Sequence, residues 1–183
     1  MIMKHKKFAV LSLLALGTAS LARAAGFGPV PESKVTFEAV GPAGLKINGA
    51  TSGIRAVESD GKVTLTVPTG GFETGIGLRD KHLREYLEVE KHPSAQLVVD
   101  ESKISLPDGA APATGKIVAP LTLHGATNPT AIAYKIRRDG SAYSVEGEFE
   151  VNIQDFKIKK PCYLGVCVAD RVKVAAKFTI QKG

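Results

Sequence analysis

The sequence contains no tryptophan, only two cysteines, and 6% aromatic residues over 183 positions. Two cysteines exclude a multi-cysteine zinc module and a miniprotein held by a disulfide framework. No G-x-S-x-G, P-loop or H-E-x-x-H motif occurs, so hydrolase, NTPase and zincin chemistry have no support. Acidic residues are absent from the first 24 positions, which carry Lys4, Lys6, Lys7 and Arg23. The formal charge of +6 is largely a property of that segment, because 20 bases face 18 acids in the rest of the chain. A basic footprint for nucleic acid is therefore unsupported, and no nucleic-acid partner is expected. What the chain does have is 44% hydrophobic residues, enough for a core, in a length that suits one domain.

Residues 1–24 have the layout of a secretory signal peptide: a charged start at Lys4 to Lys7, an apolar stretch from Phe8 to Leu16, and Ala22-Arg23-Ala24 at the cleavage position. The apolar stretch is short of the roughly 20 residues that span a bilayer, so no stable membrane anchor is expected. The expectation is an exported, periplasmic protein consisting of residues 25–183, in an oxidising compartment.

That portion alternates with period two almost throughout, the pattern of strands with one buried face. Segments around Val35–Ala39, Leu45–Arg55, Val63–Val67, Ala95–Lys103, Ile117–Leu123, Ile132–Ile136, Tyr143–Ile153 and Val172–Ile180 give eight strands. Asp60-Gly61, Asp108-Gly109, Asn128-Pro129 and Asp139-Gly140 are read as turns, with Asp139-Gly140 the best hairpin signal. Between Gly70 and Pro93 the alternation stops. Leu83 and Leu87 are spaced i, i+4, Asp80 is a candidate N-cap, and Lys91-His92-Pro93 ends the helix. The fold class is all-β: an extended, eight-stranded antiparallel barrel with one short helix.

The inner face is assigned to Phe37, Ala39, Val63, Leu65, Ile117, Ala119, Leu121, Ile132, Tyr134, Tyr143, Val145, Gly147, Phe149, Val174, Ala176 and Phe178. Several of these are small. Small inward residues leave a lumen for a long apolar ligand, or they accommodate large neighbours in a filled core, and geometry alone leaves both open. On the outer face, Glu146, Glu148 and Glu150 are expected opposite Arg171, Lys173 and Lys177, as a solvated surface.

Gly77-Leu78-Arg79-Asp80-Lys81-His82-Leu83 and Tyr86-Leu87-Glu88-Val89-Glu90-Lys91-His92-Pro93 resemble the R-D-x-H-L…Y-L-x-V-x-K-x-P segment of the YceI-like lipid/polyisoprenoid-binding proteins. Pro120-Leu121-Thr122-Leu123-His124-Gly125-Ala126-Thr127-Asn128-Pro129 is similar to their L-T-L-x-G-x-T-x-P segment. The resemblance runs from about Ser33 to Lys182. It implies a lipocalin-like barrel that holds an isoprenoid-type lipid or quinone, with no catalytic residues and no other cofactor. Two features depart from the family pattern: Glu32 stands where many members have a histidine, and Cys162 and Cys167 form an added pair.

Arg79, Asp80 and His82 are candidates for polar contact with a ligand head group or for acid–base work. The structural alternative is a helix cap, a local ion pair and a side chain packed on a strand end. The spacing of His82, His92 and His124 matches no metal-site pattern, His124 falls on an outward-phase strand position, and no metal is expected. Cys162 and Cys167 lack the C-x-x-C-H of haem attachment and the C-x-x-C of redox pairs, and in an exported protein a structural disulfide fits best. Residues five apart in a straight strand cannot be bridged, so the chain must turn between them, with Gly165 as pivot. The favoured function is a non-enzymatic carrier of a long-chain apolar lipid. Alternatives are a ligand-free interaction or stress-protection module and a quinone-linked redox partner. The oligomeric state is not specified by the sequence.

Overall fold

The computed structural model describes residues 32–163 and 165–181. The expected signal peptide lies outside the described residues. The chain forms β1 (Lys34–Val40), β2 (Lys46–Thr51), β3 (Arg55–Ser59), β4 (Lys62–Pro68), α1 (Gly77–Tyr86), β5 (Ser94–Asp100), β6 (Ala113–Leu123), β7 (Ala126–Asp139), β8 (Ala142–Asn152), the two-residue strands β9 (Cys162–Tyr163) and β10 (Val166–Cys167), and β11 (Arg171–Gln181).

Nine strands make one antiparallel sheet in the order β2-β1-β11-β8-β7-β6-β5-β4-β3. The architecture is the expected antiparallel β fold with one helix, but the strand count is nine instead of eight. The extra strand arises because Leu45–Arg55 is not one element. Ser52-Gly53-Ile54 breaks it, and the Asp60-Gly61 turn then folds β3 back onto β4, with Ser59 opposite Lys62. Ser33 Oγ fixes the break by accepting from the backbone N–H groups of Gly53 and Ile54 at 3.1 and 2.9 Å. The sheet curls but is not laddered shut. Among the described residues β2 and β3 are its two ends, and β2 is tied instead to the loop before α1 by two 2.9 Å backbone bonds between Ala50 and Glu73.

Register explains why one face is apolar. Phe37 lies opposite Val174, Val174 opposite Phe149, Phe149 opposite Ile132, and Ile132 opposite Ile117. Because side chains alternate with period two, this one alignment places every in-phase residue of five strands on the same surface. The concave surface carries the core, and the segment after β8 covers one end of it with buried Ile153, Phe156 and Ile158.

Two sequence signals acted differently from expectation. Asn128-Pro129 is not a turn; it lies inside β7, with Pro129 opposite Pro120. The ladder between β7 and β8 starts at Ile132, so Pro129 sits beyond it, where a missing N–H costs no sheet bond. The turn is instead His124-Gly125, a two-residue loop with φ of 50° and 72° joining Leu123 to Ala126, the geometry that matches strand twist. The helix is also shorter than the residues up to His92. It stops at Tyr86, and Glu88, at φ 44°, turns the chain while its carbonyl accepts from Lys91 and His92.

On the outer face, Lys173 lies opposite Glu150 and Lys177 opposite Glu146, whereas Glu148 meets Ala175 and pairs with no base there. Arg171 reaches Glu150 diagonally, and this hydrogen-bonded carboxylate raises the arginine's pKa.

Candidate functional site: an apolar lumen

Two adjoining cavities of about 230 and 360 Å³ lie on the concave face. They share Leu65, Leu97, Phe149, Ala176 and Phe178 as common wall, so they run end to end along the sheet. An apolar cavity of about 150 Å³ already stays dry and accepts a benzene-sized guest. The first cavity is lined by Phe37, Ala39, Leu121, Val174 and by Leu83, Tyr86 and Leu87 of the helical segment. The second is lined by Val63, Ile117, Ile132, Tyr134, Tyr143, Val145 and Gly147, with Glu58 and Glu101 at its margin.

Fifteen of the sixteen residues assigned to the inner face line one cavity or both. Ala119 does not. It is 3% exposed and packs in a solid cluster with Val99 and Ile132, because β5 presses Val99 against that part of β6. The small residues therefore split between two roles: Gly147 and Ala176 open space, and Ala119 fills it. Sequence phase missed the wall that is not sheet. Leu83, Tyr86 and Leu87, and Ile153, Ile158, Pro161 and Val168 after β8, close the first cavity from one end. The i, i+4 spacing of Leu83 and Leu87 was the available signal for the helical part.

The space at Gly147 is specific. A Cβ there would meet only Ile132 Cγ2, at 3.8 Å. By contrast, a Cβ on Gly115 would fall 2.6 Å from Tyr134 Oη, so the glycine leaves room for the ring. The Tyr134 hydroxyl accepts from the Ser105 N–H at 3.1 Å, which pins the far mouth of the second cavity. Phe37 and Phe72 make an edge-to-face contact at 5.5 Å beside the first cavity.

Arg79, Asp80 and His82 of the family-like segment do not line either cavity. Asp80 is not the N-cap; Ile76 occupies that position without a side-chain bond, and Asp80 lies within the first turn. The side chain has a better partner: Oδ1 accepts from the Thr74 N–H at 2.7 Å and from Thr74 Oγ1 at 2.6 Å. These two bonds hold its pKa below the ordinary carboxylate value. Arg79 is half-buried and acts on Asp80 only through its nearby charge, a smaller effect than the Thr74 bonds. His82 is exposed and, instead of packing on a strand end, borders a polar surface cleft with Glu85, Tyr86, Glu88, His124, Lys157 and Lys159.

In that cleft the fold gathers residues that sequence spacing kept apart. His92 and His124 have ring centroids 5.0 Å apart, and Glu88 Oε1 is 3.9 Å from His124 Nε2. Lys91 donates to Glu88 Oε2 at 2.7 Å, which lowers the Glu88 pKa. His124 occupies the β6–β7 turn, so its side chain leaves the strand phase that had placed it outward.

Cys162 and Cys167, flanked by Pro161 and Val168 of the first cavity's wall, are bridged, with Cα atoms 4.0 Å apart. They face one another across the β9–β10 hairpin, and Gly165 at φ 79° makes the turn.

Comparison with known proteins agrees with this geometry. The structure of a polyisoprenoid binding domain from Saccharophagus degradans, implicated in plant cell wall breakdown, superposes with a TM-score of 0.70 at 15% identity, covering 84% of this chain and 96% of that one. BcnA from Burkholderia cenocepacia gives 0.64 at 16% identity over 80% and 95% of the two chains. In sequence, a UPF0312 protein of Ectopseudomonas mendocina is 35% identical over 107 residues, and one of Pseudomonas aeruginosa is 34% identical over 106. The aligned parts are 54% of this chain and 53% and 52% of those proteins, so the chain spans about half the length of the curated relatives it matches. The YceI-like domain matches residues 31–180, and the chain belongs to that family.

Proposed function

We propose that this protein is a non-enzymatic binder that holds a long-chain isoprenoid-type lipid or quinone in its apolar lumen, and that it works as a periplasmic carrier. The observation that carries the reading is the pair of end-to-end cavities walled by aliphatic and aromatic side chains. Apolar walls offer little directional recognition, so selectivity comes from the length and width of the space, and affinity from burying CH₂ groups at about 0.8 kcal/mol each. The likeness to a polyisoprenoid binding domain supports the same ligand class. Export is supported by the Cys162–Cys167 bridge, since disulfides persist in oxidising compartments.

The test is native mass spectrometry and organic extraction of protein recovered from its own host's periplasm. A stoichiometric long-chain lipid in the soluble periplasmic fraction is the expected result. Ligand-free protein that is fully functional would favour an interaction module instead. N-terminal sequencing of the same material should begin at Ala25.

A further inference from the structure

We propose that Glu88, His92 and His124 form a binding site for a divalent transition ion of the zinc class, separate from the lumen. Their ligand atoms all lie within 4.8 Å of one another. Two imidazole nitrogens and one carboxylate oxygen are a donor set that suits zinc, with a fourth position left for water.

The tautomer of His124 gives the independent reason. Its Nδ1 is 3.1 Å from the Phe156 carbonyl oxygen, which can only accept, so Nδ1 carries the proton. In the neutral ring Nε2 is then a bare lone pair. It is buried and has no hydrogen-bond partner, on a side chain only 10% exposed. What it faces, at 3.9 Å, is the Glu88 carboxylate, another acceptor. Two acceptors aimed at one point, too far apart for a hydrogen bond, call for a cation between them. A carbonyl on the remote ring nitrogen is also how metal-bound histidines are oriented.

The surroundings hold the other two ligands. The His92 backbone is fixed by its N–H to the Glu88 carbonyl at 2.9 Å and by Thr69 Oγ1 on its own carbonyl at 2.7 Å. Its ring rests on Gly125, where a Cβ would come within 2.7 Å of His92 Cε1. Glu88 gives Oε2 to Lys91 and keeps Oε1 toward His124. Ligand atoms about 2.0–2.2 Å from a shared zinc sit closer together than 4.8 Å, so a small rotation of an exposed side chain completes the site. Lys157, Lys159, His82 and Glu85 border the same cleft. The ion would join the turn after α1 to the β6–β7 turn, beside Leu87 and Leu123 of the first cavity.

The experiment is calorimetric titration of ZnCl₂ into exported protein prepared without an affinity tag, with zinc-edge X-ray absorption on the loaded sample. One zinc per chain, a dissociation constant below about 10 µM and two imidazole nitrogens at about 2.0–2.1 Å are expected. Glu88→Gln and His124→Ala should each weaken binding about tenfold or more, while Glu85→Gln in the same cleft should not. Glu88→Gln alters an exposed carboxylate, so it decides the matter even if His124→Ala fails to fold. No zinc binding, binding unchanged in Glu88→Gln, or a coordination shell without imidazole would overturn the site. Lipid content is a separate readout, so failure here leaves the lumen reading standing.

Discussion

Gly147 on β8 looks across the inner surface toward Ile132 on β7, and a methyl group added to it would touch nothing but Ile132 Cγ2, at 3.8 Å. Ala176 lies directly opposite Gly147 on β11 and lines the same cavity. Together they make the wall thin where the two cavities adjoin.

Gly147→Phe should therefore fill lumen instead of overpacking a core, which would cost about 1–3 kcal/mol. The variant should keep its circular dichroism and melt within a few degrees of wild type, and co-purifying lipid should fall. Glu148→Phe, one residue on and facing outward, is the control and should retain lipid. The lumen assignment is falsified if Gly147→Phe unfolds the protein while wild type yields no lipid on extraction.

Gly115 should behave in the opposite way. Its Cβ position lies 2.6–2.8 Å from three atoms of Tyr134, so Gly115→Ala forces a rigid ring to move and should cost about 1–3 kcal/mol. Adding Tyr134→Leu should recover much of that loss, a coupling that a double-mutant cycle in urea can measure. Strict additivity of the two changes would mean that the ring and the glycine are not in contact.

Asp80 carries the clearest pH prediction. Its pKa is depressed by the Thr74 bonds, so it stabilises the fold above the ordinary carboxylate range and that contribution is lost as pH falls through the folded value. Asp80→Asn keeps the shape and removes the charge. The melting temperature of wild type should exceed that of the variant at neutral pH, with the gap closing on acidification. A gap that stays constant from neutral to strongly acidic pH would refute an electrostatic role.

The disulfide closes a loop of only six residues, for which chain entropy gives about 2 kcal/mol. Native-purified protein should weigh two hydrogens less than the dithiol, and the double Cys→Ser variant should still fold, since a domain has about 5–15 kcal/mol in hand. Two freely alkylated thiols in unreduced material would contradict the bridge.

The inner surface was legible because a period of two is a strong code. Once Phe149 faces inward, Val145, Gly147 and Val151 must follow, and register carries the choice to the next strand. Contacts between segments are not encoded that way. Nothing in the spacing of Glu88, His92 and His124 announces that the His124-Gly125 turn closes onto the turn after α1; only the tertiary fold brings His92 and His124, 32 residues apart, down to adjacent rings. His124 also hid its role because it was assigned a strand phase, whereas a left-handed turn residue has none. Asp80 shows a third limit. A capping residue type at a plausible position was outcompeted by a hydroxyl and an N–H that the preceding loop brings within reach.

Among the described residues the curled sheet has two margins, β2 and β3, and a free margin is a template on which another chain can add a strand. Both margins are brief, at six and five residues, and both carry charge, Lys46 on β2 and Arg55 and Glu58 on β3. Glu73 occupies part of the β2 margin with paired backbone bonds, leaving less of it for a stranger. Both margins are thus poor templates for strand addition, and lengthening either one with apolar residues would create an aggregation site.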